Sequence, residues 1–93
     1  MLTIPIKRKW FKMIVSGEKQ EEYREIKPYW DLRLRKDYPF LIRIKNGYGK
    51  SAPFADLKVE KTVGFGRLEW GAPSNKKVYI LRIIDVLRIE DKE

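Results

Sequence analysis

The segment Ser16-Gly17-Glu18-Lys19-Gln20-Glu21-Glu22-Tyr23-Arg24-Glu25-Ile26-Lys27-Pro28 marks a change of periodicity in the chain. Just before it, Trp10, Phe11, Ile14 and Val15 recur at helical spacing. Gly17 is suited to close such a helix, since it tolerates the left-handed conformation a helix end often needs. After Gly17 the pattern alternates. In an extended strand Gln20, Glu22 and Arg24 point one way, while Glu21, Tyr23 and Glu25 point the other. A strand in a small domain normally has one apolar face, and this one has none until Ile26. Either it lies on a wet edge, or its charged side chains line a pocket. Glu22 and Arg24 share a face, and Lys19 sits in the turn before them. A carboxylate flanked by two cations is held ionised with its hydrogen bonds directed. The adjacent Glu21 and Glu22 face opposite ways in a strand and cannot act together on one substrate.

Upstream, Leu2-Thr3-Ile4-Pro5-Ile6 suits a first strand, with Pro5 at an edge or end. Lys7 to Ser16 forms the helix. Ile6, Trp10, Phe11, Ile14 and Val15 fall on its apolar stripe, and Lys7, Arg8, Lys9 and Lys12 cover the solvated one. Downstream, Pro28 opens a second short helix, with Trp30 and Leu34 toward the core and Arg33, Arg35 and Lys36 outside. Pro39 to Lys45 is a strand whose Phe40, Ile42 and Ile44 share a face, and Asn46-Gly47 is a turn signal. From Ala55 to Gly66 the chain alternates again, and Gly64 and Gly66 around Phe65 suggest bulges or a tight corner. Leu68-Glu69-Trp70 continues a strand in this reading, before the loop Gly71-Ala72-Pro73-Ser74-Asn75. Val78 to Ile89 is the longest β-branched run. Its consecutive Ile83-Ile84 implies two buried faces or a bulge, and Glu90 to Glu93 is a frayed tail.

The 93 residues suffice for one domain and one core. The inventory is five or six strands and two short helices: α+β, mainly β, a small curled sheet or barrel plugged by helices. The chain has no cysteine and no histidine. Disulfides, thiolate metal sites, a conventional zinc site and a histidine base are therefore excluded, and with them the Ser-His-Asp and Cys-His hydrolases. No cofactor and no metal is expected. Twenty-one Lys and Arg against thirteen Asp and Glu leave a formal charge of +8, which favours polyanionic partners. No apolar run approaches the roughly 20 residues of a membrane span, and the opening residues lack a signal peptide's apolar core. A soluble cytoplasmic protein is the expectation.

Gly17, Lys19, Glu22 and Arg24 form the pattern G-x-K-x-x-E-x-R, placed behind a short amphipathic helix near the start of the chain. That pattern resembles the signature of the ASCH domain, a relative of the PUA RNA-binding fold. The resemblance extends over nearly all of residues 1–93, including the Trp70-Gly71-Ala72-Pro73 turn and the apolar final strand. It implies a single domain with a PUA-like β-barrel and a cleft beside the barrel proposed to bind RNA. In such a cleft Arg24 donates to a phosphate or a base edge, Glu22 accepts from an amine or ring N–H, and Lys19 neutralises a phosphate. Lys7 and Lys9 add charge nearby, and an aromatic such as Trp10, Tyr23, Tyr29, Trp30 or Tyr48 stacks on an unpaired base.

The resemblance also opens an enzymatic alternative, a ribonuclease or a nucleoside amidohydrolase using Lys19, Glu22 and Arg24. An amidohydrolase branch of ASCH-like proteins acts on N4-acetylcytidine with a threonine nucleophile three residues after its lysine. Here Glu22 occupies that place, and Gln20, Glu21 and Tyr23 offer no substitute. A third class is a protein-interaction module whose basic surface meets an acidic partner.

Overall fold

The computed structural model describes residues 1–91. The elements in chain order are β1 (Leu2–Ile6), α1 (Arg8–Val15), β2 (Glu21–Arg24), α2 (Pro28–Arg33), β3 (Phe40–Asn46), β4 (Phe54–Gly64) and β5 (Val78–Glu90), with a 3-10 turn at Leu68–Trp70 before β5. The strands form one five-stranded sheet in the order β1-β3-β4-β5-β2. β1 runs parallel to β3, and every other pairing is antiparallel. The sheet curls into a half-barrel, so the fold is α+β and mainly β, as the sequence implies.

An eight-residue helix such as α1 is too short to be stable in isolation. It persists because Phe11 and Ile14 are buried against Ile4, Ile42, Ile44, Leu57, Val59 and Leu81. Each such side chain contributes about 1.5–3 kcal/mol by leaving water. The helix stops where foreseen. Gly17 adopts φ +87°, and its N–H donates to the Ile14 carbonyl at 3.1 Å. The Lys19 N–H then turns back to the Met13 carbonyl at 2.9 Å, which folds the chain over the helix end and leads into β2.

The β4/β5 hairpin supplies the curl. Its pairing passes from Asp56–Arg88 to Leu57–Val86, and from Lys58–Asp85 to Val59–Ile83, so Leu87 and Ile84 are left over as bulges. Both point outward and are exposed, while Ile83 packs against the core. The consecutive isoleucines therefore mark a bulge, and each bulge adds local twist to the long strands.

Several expectations change. Leu68-Glu69-Trp70 is a 3-10 turn and not a strand; Gly71 at φ +96° closes it, and the Gly71 N–H returns to the Leu68 carbonyl. Glu90 belongs to β5 and Asp91 pairs with Lys12 at 2.9 Å, so the chain is fixed up to that point; the rest of the foreseen tail, Lys92 and Glu93, lies outside the described residues. The β2 segment has an apolar contact after all. Tyr23 is buried in a second small core with Ala72, Val78 and Ile80, whereas Ile26 is exposed. Gly66 makes room for that tyrosine, since a Cβ there would sit 2.5 Å from Tyr23 Cε1. Among the described residues no helix is long and apolar enough to cross a membrane.

Candidate functional site

β1 and β2 are the two edges of the sheet, and they face each other across its open side. The Ile83 N–H donates to the Gln20 carbonyl at 2.9 Å, extending the β2–β5 ladder by one residue. Alternation along an antiparallel strand then turns the main-chain groups of Glu21 and Tyr23 away from β5, into the seam. Arg24 occupies that seam. Its Nη1 donates to the Tyr23 carbonyl at 2.7 Å and to Glu22 Oε2 at 3.1 Å, and its Nη2 donates to the Pro5 carbonyl at 3.2 Å. The guanidinium also lies over the Trp30 ring, 5.3 Å from its centroid. A planar fork with fixed donors suits this bridging better than a lysine would.

Glu22 is held from both ends. Its Oε1 is 3.2 Å from Lys19 Nζ, and its Oε2 meets Arg24. Lys19 itself is buried, its side chain wholly out of solvent. It donates to the Trp70 carbonyl and lies 5.0 Å and 4.8 Å from the Trp10 and Tyr23 ring centroids. Burial lowers the Lys19 pKa from its ordinary value, with the Glu22 carboxylate opposing that shift. Tyr23 is fixed by accepting from the Arg67 N–H at 3.0 Å and donating to Glu21 Oε1 at 2.7 Å. Burial pushes its phenol well above the usual range. Glu21 and Glu22 thus serve separate networks.

A cleft of about 1030 Å³ opens along this seam. Its cations are Lys7, Arg8, Arg24, Lys27 and Lys76, and its carboxylates are Glu22 and Glu25. Six aromatic residues line it: Trp10, Tyr23, Tyr29, Trp30, Tyr48 and Trp70. All three tryptophans of the chain are among them. Trp10 is wedged by Gly71, where a Cβ would come within 2.9 Å of its ring, and Tyr29 and Trp30 meet edge to face with centroids 4.8 Å apart.

Of the residues singled out by sequence, Lys7, Glu22, Arg24 and Tyr48 line this cleft. Lys19 is buried and outside the lining, while the residues around its ammonium, Trp10, Glu22, Tyr23 and Trp70, belong to it. Lys9 lies outside the lining, its ammonium 4.6 Å from the Trp10 ring centroid. Arg8 belongs to the lining, although the helical pattern assigns it to the solvated stripe. Lys27, Lys76 and Trp70 were missed as site residues. Lys76 and Trp70 flank the Gly71-Ala72-Pro73 turn, whose glycine and proline were the signal available. Among the described residues no cluster of three or more acidic or histidine side chains could hold a metal ion.

No family model matches the sequence, and no curated protein or solved structure is significantly similar to it.

Proposed function

We propose that this chain binds single-stranded RNA or a nucleotide in the seam cleft, in the manner of an ASCH-type domain. The observation that carries the reading is the composition of that cleft: five cations against two carboxylates, combined with six aromatic side chains on one concave surface. Cations neutralise phosphates, and aromatic faces stack on bases, each stack contributing about 1–3 kcal/mol in single-strand binders. The volume is at the upper end of ordinary ligand pockets, roughly 300–1,000 Å³. Unpaired nucleotides need this pairing of charge and flat apolar surface, because their bases are free to splay out of a helix.

The connected unit Lys19–Glu22–Arg24 supports the ASCH resemblance. In this reading its members divide the work. Glu22 and Arg24 present polar groups to the cleft, and Lys19 positions Glu22 from below without touching ligand. The test is a titration of the protein with a short single-stranded RNA, followed residue by residue by NMR. Shifts concentrated at Trp10, Arg24, Trp30 and Trp70 support the reading. Shifts confined to the outer sheet face, around Lys58 and Arg82, contradict it.

A further inference from the structure

The geometry points to guanine as the base that this cleft prefers, an inference that rests on the nucleotide-binding reading above. Glu22 is nearly buried, yet it lines the cleft. Its two oxygens each face one cation, Lys19 at 3.2 Å and Arg24 at 3.1 Å. Those contacts fix the plane of the carboxylate and leave each oxygen a further lone pair, since an ionised carboxylate has about four acceptor positions. The group can only accept. It therefore favours a partner that presents two adjacent donors to two adjacent oxygens.

Among the four common bases, guanine alone does so, through its N1–H and N2 amine. Adenine places the N6 amine beside the N1 lone pair, and cytosine places the N4 amine beside the N3 lone pair. Either ring nitrogen would be turned against a carboxylate oxygen. Uracil presents one N–H between two carbonyl oxygens, each repelled by the charge. Mismatch sets a lone pair of the base against the carboxylate charge with no water between, which penalises the wrong base more than a lost contact alone. Arg24 does not compete for this role, because three of its donor contacts already go to Glu22, Tyr23 and Pro5. The aromatic wall supplies stacking that every base shares, and of the two cleft carboxylates Glu25 is exposed to water while Glu22 is shielded and fixed by two cations, so Glu22 is the one equipped to discriminate.

The experiment compares GMP, IMP, AMP, CMP and UMP as ligands of the whole chain by NMR titration. GMP is expected to bind at least about fivefold more tightly than AMP, CMP and UMP, the lower bound for a bidentate base contact. IMP keeps N1–H but lacks the N2 amine and falls between. Glu22→Gln replaces one acceptor by a donor and is expected to abolish the GMP preference. The wild-type nucleotide series does not depend on that variant folding. If AMP, CMP or UMP binds as tightly as GMP, or IMP equals GMP, the guanine inference is overturned while the cleft remains a nucleotide site. If no nucleotide and no short RNA binds, the underlying reading fails and takes the inference with it.

Discussion

Arg24 joins the two edges of the sheet to each other: its Nη2 reaches the Pro5 carbonyl on β1 at 3.2 Å while its Nη1 holds the Tyr23 carbonyl on β2 at 2.7 Å. A side chain stands where a closed barrel would have a backbone ladder. Edge strands leave unpaired N–H and C=O groups, and here the unpaired groups become part of the wall of a cleft. Removing the fork therefore weakens both the seam and the site. Arg24→Ala is expected to lower stability by about 1–2 kcal/mol, in the range of hydrogen bonds to a charged group discounted for partial exposure. Arg24→Lys keeps the charge but gathers its three donors on one nitrogen, which cannot span acceptors shared between Nη1 and Nη2, and is expected to recover less than half of that loss. Thermal or urea unfolding of the two variants checks this. Equal stability of Arg24→Lys and wild type would show that charge alone matters at the seam.

Lys19 gives a second test, because burial has a sign. Lys19→Met strands Glu22 with one cation and leaves the Trp70 carbonyl without its donor, at an expected cost of about 3 kcal/mol. The lowered Lys19 pKa means that the folded chain gives up this proton earlier than the unfolded chain does. Between the lowered folded value and the unfolded value of 10.5, the unfolded state binds more protons, so the Lys19 contribution to stability rises with pH. The stability gap between wild type and Lys19→Met should widen as pH climbs through the lowered folded value toward the unfolded value of 10.5. Denaturation curves of both proteins across that interval measure it, and a gap that narrows would contradict the assigned burial.

Asp56 behaves in the opposite pH range. Arg43 grips it with two bonds of 2.7 and 3.0 Å, and that hydrogen bonding holds its carboxyl below the usual value of 3.8. A depressed carboxylate contributes stability that is fully present above the unfolded pKa and lost as pH falls through the folded one. Asp56→Asn should therefore be less stable than wild type at pH 6, with the difference closing below about pH 4. Unfolding midpoints measured from pH 6 to 2 decide it, and a constant difference over that range would count against the ion pair.

Gly66 tests the second core. A Cβ at this position meets Tyr23 Cε1 at 2.5 Å and the Ala72 Cβ at 2.7 Å, so Gly66→Ala must displace both or shift its own backbone. Overpacking of this kind typically costs about 1–3 kcal/mol. Gly49→Ala, with nothing within 4 Å of the added atom, serves as the control and should be near neutral. Matching melting curves for the two substitutions would mean that Tyr23 is not confined as described.

Most elements were legible because their signals were local. The period change at Gly17, the proline opening α2 and the shared face of Phe40, Ile42 and Ile44 each needed only a few residues. The Glu22–Arg24 pairing was legible for the same reason. What the sequence hid depended on distant partners. Tyr23 shares its strand face with Glu21 and Glu25 and looks polar, and only Val78, Ile80 and Ala72, far along the chain, make it core. Lys19 looks like a surface cation until the Lys19 N–H is seen folding back on α1 and its ammonium reaching the Trp70 carbonyl. Arg8, Lys27 and Lys76 come from three separate segments, so no spacing rule could have grouped them in one cleft.

The central claim, that the seam cleft takes single-stranded RNA or a nucleotide, is tested most directly by tryptophan fluorescence. All three tryptophans line the cleft, so a base stacking there must change their emission. The measurement is a titration with a short single-stranded RNA at several salt concentrations. Quenching is expected, with log K falling against log salt at a slope of roughly −3 for about four phosphate contacts. Emission unchanged by RNA, or affinity indifferent to salt, would contradict the account.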